Sequence, residues 1–141
     1  MKSRLKILFV GETAMVQTTE FKGHDYFSTV RYGEAFGVMA KVFETLGHDV
    51  THIPCHLVPT RFPRTIEELG EYDVVLFSDI GTNTFLLLPE MVRTGKRVPN
   101  LLTLMKEYIE NGGGFCMIGG YMTYQGMDGK GKWKNLSIWD L

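Results

Sequence analysis

The chain has 141 residues, enough for one domain with its own core and without disulfide or metal staples. Hydrophobic residues make up 44% and charged residues 22%, and 15 basic against 16 acidic side chains leave a net charge of -1. A chain this close to neutral has no global field to gather nucleic acid or an anionic membrane, and no stretch approaches the roughly 20 apolar residues that cross a bilayer.

Cys55 and Cys116 are too few and too far apart for a disulfide framework. The apolar run after the basic start, Ile7 to Val10, is much shorter than a signal-peptide core. A reducing cytoplasm is therefore the expected location.

Lys6-Ile7-Leu8-Phe9-Val10-Gly11 is a continuous apolar run ending at glycine, the pattern of a buried parallel strand. A long connection follows, from Glu12 to about Thr29. The spacing of Tyr32, Ala35, Phe36, Met39, Val42, Phe43 and Leu46 predicts a helix from about Val30, stopped by Gly47. Asp49 to Ile53 reads as the second strand, closed by Pro54. Thr65-Ile66-Glu67-Glu68 has the form of a capping box, opening a short helix that ends at Gly70. Val74 to Ser78 is the third strand. A second long connection runs from Gly81 to Val98. Pro99 suits a first helical turn, with Leu101, Leu102, Met105, Tyr108 and Ile109 as the apolar face and Asn111-Gly112 as the end. Phe115-Cys116-Met117-Ile118 is the fourth strand, and Cys116 within it reads as a small, inert, buried hydrophobe.

Alternating strands and helices predict an α/β domain over residues 1–141. The layers are three: a doubly wound parallel sheet with helices on both faces and a flavodoxin-like strand order 2-1-3-4. The apolar pattern that opens at Asn135-Leu136-Ser137-Ile138 and stops at Leu141 predicts a form truncated at its C-terminus, because a sheet ending at strand four keeps an open edge. The basic clusters Arg93, Lys96, Arg97 and Lys130, Lys132, Lys134 around Trp133 read as solvated loop charges.

Ligands of doubly wound sheets bind beyond the carboxyl ends of the strands. That rule selects Gly11, Glu12 and Thr13 after strand one, Asp79, Gly81 and Asn83 after strand three, and Gly119, Gly120 and Tyr121 after strand four. Paired carboxylates at Glu12 and Asp79 suit hydroxyls, an amine or a cation. The single glycine of Gly11-Glu12-Thr13 and the acidic residue after it argue against a phosphate-cradling loop, and weaken a flavin reading. No cofactor is expected. His48, His52, Cys55 and His56 resemble a metal cluster only on paper, since Pro54 interrupts a helical spacing; no metal site is expected.

Gly11-Glu12-Thr13, Phe62-Pro63-Arg64-Thr65, Tyr72-Asp73-Val74-Val75, Ser78 to Leu87 and Gly112 to Tyr121 together resemble the glutamine amidotransferase-like cytoplasmic proteins of bacteria, in the class I glutamine amidotransferase-like superfamily. The resemblance covers nearly the whole chain, and the last two segments are its specific part. It implies the same α/β fold and a site at the strand ends. Class I members carry a nucleophilic cysteine in a Gly-x-Cys-x-Gly turn after a central strand, with a histidine and an acid later in the chain. Here the corresponding turn reads Ile118-Gly119-Gly120-Tyr121-Met122, without cysteine or serine. No catalytic residue is therefore assigned, and glutamine hydrolysis through a thioester is not expected. The first expectation is a small polar ligand, not nucleic acid or membrane, at the strand-end rim. The second is a hydrolase using Glu12 or Asp79 as general base. The third is an interaction or assembly module presenting Phe85-Leu86-Leu87-Leu88, and a homo-oligomer is compatible with the sequence. A phosphoacceptor receiver domain fits poorly, because strand one is not followed by an acidic pair.

Overall fold

The computed structural model describes residues 4–134 together with Leu136 and Ile138. Four strands form a parallel sheet: β1 (Lys6–Gly11), β4 (Asp49–Ile53), β5 (Val74–Ser78) and β6 (Gly114–Ile118), in the order β4-β1-β5-β6. In the order in which these strands occur this is 2-1-3-4, as the alternation of elements predicts. The register sets Leu8 beside Thr51 and Val75, and Val10 beside Ile53 and Phe77.

Successive residues of a strand face opposite sides. Leu8, Val10, Val75 and Phe77 point into the main core, where they meet Phe62, Phe85, Leu101, Leu102 and Met105. Phe62 follows α2 (Val58–Arg61), Phe85 lies on α4 (Asn83–Leu86), and the other three lie on α6 (Leu101–Glu110). The helix α3 (Ile66–Leu69) adds fully buried Leu69. Each such apolar side chain contributes roughly 1.5–3 kcal/mol by leaving water. Phe9 points to the other side and meets α1 (Phe36–Thr45), its ring 4.8 Å from Phe36 and 6.3 Å from Phe43. The sheet is thus flanked by helices on both faces.

The first long connection is not a loop. It forms β2 (Thr13–Lys22) and β3 (Asp25–Glu34), an antiparallel hairpin that constitutes its own two-stranded sheet. Gly23, at φ 70, takes the positive φ needed at the first position of its tight turn. The helix expected from Val30 accordingly starts at Phe36. Val30 and Tyr32 lie on β3, because the pattern that reads as helical there alternates along a strand instead. The second connection carries α4 and α5 (Pro89–Thr94). Pro99 falls just outside α6, because Asn100 caps it: its side-chain oxygen accepts from the N–H groups of Leu102 at 3.0 Å and Thr103 at 3.3 Å. Thr65 caps α3 as expected, accepting from the Glu68 N–H at 3.3 Å, and Gly70 follows the last helical residue.

Cys116 is exposed rather than buried. It lies on the edge strand and, through its neighbours Leu76 and Phe9, on the α1 side of the sheet. The aromatic contacts of α1 are with β1 and β4, away from the edge where Cys116 lies. Phe85 and Leu88 are buried, so Phe85 to Leu88 is no flat apolar surface. Trp133 is also buried, unlike the lysines around it: it lies 5.7 Å from the Phe77 ring and 5.8 Å from that of Phe85. Its indole N–H donates to the carbonyl of Ile80 at 2.9 Å, pinning the turn after β5. Of the terminal pattern, Leu136 and Ile138 pack on the core, while Asn135, Ser137 and residues 139–141 lie outside the described residues.

Candidate functional site

The rim forms where β1, β5 and β6 end. Gly11 has φ 115, and a Cβ there would stand 1.8 Å from the Ser78 carbonyl oxygen, so only glycine lets the two strand ends close up. Glu12 follows in the left-handed region at φ 55, and Asp79 after β5 does the same at φ 46. Left-handed backbone at a non-glycine residue costs on the order of 1–3 kcal/mol and persists only where the surroundings fix it.

Hydrogen bonds supply that fixing. The Glu12 N–H donates to the Ser78 carbonyl at 3.0 Å, and the Glu12 carbonyl accepts from the Ala35 N–H at 3.0 Å. The Ser78 hydroxyl, buried, donates to the Glu12 carboxylate at 2.5 Å. The Thr13 hydroxyl oxygen accepts from the Cys55 N–H at 2.8 Å. Asp79 accepts from the Met122 N–H at 2.7 Å. The turn after β6 lies against that carboxylate, since a Cβ on Gly120 would meet Asp79 Oδ1 at 2.6 Å. The three strand ends therefore meet, with Glu12 and Asp79 side by side on neighbouring turns.

Beside them is a hollow of about 290 Å³ lined by Glu12, Thr13, Ala14, Arg31, Gly33, Glu34, Ala35 and Asp79. Three carboxylates and one guanidinium give it acidic character. Arg31, Gly33 and Glu34 come from the root of the hairpin and are the lining residues that sequence reasoning missed. Their signal was the run of β-branched and aromatic residues on either side of Gly23-His24, a hairpin pattern. Among the expected residues, Gly11, Glu12, Thr13, Asp79 and Gly120 converge. Gly119 lies in the same turn. Gly81 packs against Met122 and Gly131, and Asn83 is exposed at the start of α4. Tyr121 is 70% exposed and does not line the hollow.

The histidines near the rim have structural partners. His52 shares a hydrogen bond of 2.8 Å with the Gly11 carbonyl and stacks on Phe36 at 4.0 Å. His56 meets the Tyr32 ring edge-on at 5.6 Å. The Tyr32 hydroxyl donates to Glu34 at 3.2 Å; desolvation first, and then that carboxylate, raises its phenol above the ordinary range. Among the described residues no three His, Cys, Asp or Glu side chains stand where they could hold a metal ion.

The model of the GATase1_like family, described as "Putative glutamine amidotransferase", matches residues 6–141. The chain belongs to this family. Two solved structures resemble it over 97% of its length: the cytoplasmic protein STM3548 from Salmonella typhimurium, at 40% identity and a TM-score of 0.94, and the cytoplasmic protein STM1381 from Salmonella typhimurium LT2, at 37% identity and 0.92. The chain spans only 56% of the length of each of these relatives. No curated protein matches it. Among the described residues no helix is long and apolar enough to cross a membrane.

Proposed function

We propose that this chain is a ligand-binding portion of a cytoplasmic glutamine amidotransferase-like protein that does not hydrolyse glutamine through a thioester. Its ligand is small and polar, bearing an amine or several hydroxyls, and sits against Glu12 and Asp79. One observation carries this reading: two carboxylates on left-handed backbone, held by separate hydrogen bonds, flank one acidic hollow at the ends of parallel strands. Backbone strain stored at two neighbouring acidic residues is the usual mark of a built site rather than of packing. Membership of the family supports the strand-end location. The turn Ile118-Gly119-Gly120-Tyr121-Met122 offers no thiol, and Cys116 is two residues before it on the strand, which supports the non-glutaminase part.

The decisive experiment is mass spectrometry of small molecules retained by the natively purified chain and by Asp79→Ala. The expected result is a polyhydroxylated or amine-bearing compound released from the wild type and missing from the variant, which keeps its fold by far-UV circular dichroism although loss of the bond from the Met122 N–H lowers its stability. Equal retention by both proteins would remove the site from Asp79. Ammonia release from glutamine that disappears on replacing Cys55 or Cys116 with serine would overturn the non-glutaminase reading.

A further inference from the structure

The hairpin is amphipathic, and its apolar side faces solvent. Antiparallel pairing puts directly opposed residues on one face. The pairs Met15–Tyr32, Gln17–Val30, Thr19–Ser28 and Phe21–Tyr26 share one face, and Val16–Arg31, Thr18–Thr29, Glu20–Phe27 and Lys22–Asp25 share the other. The first face holds Met15, Phe21, Tyr26, Val30 and Tyr32, exposed by 63%, 73%, 68%, 63% and 45%. The second face holds the charges Glu20, Lys22, Asp25 and Arg31 and is suited to water.

At the root of this face the Tyr32 ring meets His56 at 5.6 Å, but the residues beyond it are exposed, and a two-stranded hairpin so little covered is marginal in water. At roughly 200 Å² for a large side chain, the exposed part of this face amounts to about 620 Å², at the upper end of what a monomer leaves bare.

We propose that this face binds the same face of a second copy of the chain, two hairpins stacking into a four-stranded, two-layer sandwich about a two-fold axis. Two such faces together remove about 1,250 Å² from water, which clears the roughly 1,000 Å² a specific interface needs. Self-pairing meets little electrostatic penalty, because from Met15 to Tyr26 around the tip and back to Tyr32 the face bears no charged side chain, and Glu34 follows beyond its root. The charged opposite face does not repeat the contact, so the assembly closes at two. Strands of ten residues extend about 33 Å, so an antiparallel arrangement keeps the two α/β domains apart. It lays the Phe21–Tyr26 pair at the tip of one copy, rings 5.8 Å apart, over the Met15–Tyr32 pair at the root of the other. This inference is independent of the ligand at the rim.

Sedimentation equilibrium of the chain in reductant, between about 1 and 100 µM, tests it. Val30→Glu puts a charge in the middle of the apolar face. Thr29→Glu puts the same charge one residue away, on the solvated face, at a similar cost to the strand. The expected result is a wild-type dimer, a dimer for Thr29→Glu, and association at least about 30-fold weaker for Val30→Glu. Far-UV circular dichroism checks that all three are folded. A wild type that stays monomeric overturns the proposal and gives the face to another occupant, such as a further segment or a different protein. So does a Val30→Glu dimer of unchanged affinity, or equal weakening by both variants, which points to pairing along the strand edges.

Discussion

Trp133 joins a loop that follows the last strand to the turn that carries Asp79, and its removal has a calculable cost. Its side chain is fully buried against Phe77 and Phe85 and donates to the Ile80 carbonyl at 2.9 Å. Truncation to alanine loses aromatic packing worth about 3–5 kcal/mol and leaves a carbonyl unpaired at about 1 kcal/mol more. The sum, about 4–6 kcal/mol, is comparable to the entire stability of a marginal domain. Trp133→Phe keeps most of the ring and loses mainly the hydrogen bond, at about 1–2 kcal/mol. With a urea slope near 2 kcal/mol per molar, the midpoint falls by about 2–3 M for alanine and by less than about 1 M for phenylalanine. Urea titration followed by far-UV circular dichroism measures both. A shift below about 0.5 M for Trp133→Ala would refute the idea that this loop is part of the core. Equal shifts for the two variants would refute the division between packing and hydrogen bonding.

Gly120→Ala drives a methyl group into the Asp79 carboxylate, so we expect a loss of about 1–3 kcal/mol in calorimetry and a disappearance of retained ligand. Asn100→Ala removes the cap of α6 and lowers stability by about 1 kcal/mol, read as a drop in the urea midpoint. Tyr108 is buried and donates to the Tyr72 carbonyl at 3.1 Å; burial first, and then the Asp73 carboxylate, push its phenol up to about 12. Its neutral form is the one the fold favours, so its contribution is intact below about pH 10, where the unfolded chain also keeps the proton. Between about pH 10 and 12 the unfolded chain ionises first, and about 2–3 kcal/mol of stability is lost. Tyr108→Phe should flatten that part of the stability profile, and an unchanged alkaline slope would assign the loss to other groups.

The parallel sheet was legible because each of its strands is short and bounded by glycine, proline or a polar turn, and all but Asp49–Ile53 are mostly apolar. Lys6–Gly11, Asp49–Ile53 and Val74–Ser78 have the same limits in sequence and structure. The rule that ligands gather beyond strand ends then singled out Glu12 and Asp79 before any coordinates. The hairpin was not legible in the same way. Tyr32, Ala35, Phe36 and Met39 satisfy a helical period, and the strand ending at Glu34 shares its last apolar residues with that period. Period alone cannot divide such a run; the pairing partner seventeen residues earlier does, because Met15 opposite Tyr32 fixes the residue as strand. Cys116 failed for a related reason. Its apolar neighbours in sequence say that it lies in a strand, but burial depends on what covers that strand from the side.

The sequence by itself determined the order of strands, the winding of the sheet and the acidic residues at its carboxyl rim, since these follow from local hydrophobicity, turn chemistry and the handedness of crossovers. Only the tertiary structure decided that Arg31 and Glu34 join that rim, that Trp133 is core and that Cys116 is surface. Each of these depends on contacts between segments far apart in the chain, and the free energy of burial is set by the neighbour that excludes water, whatever its distance in sequence.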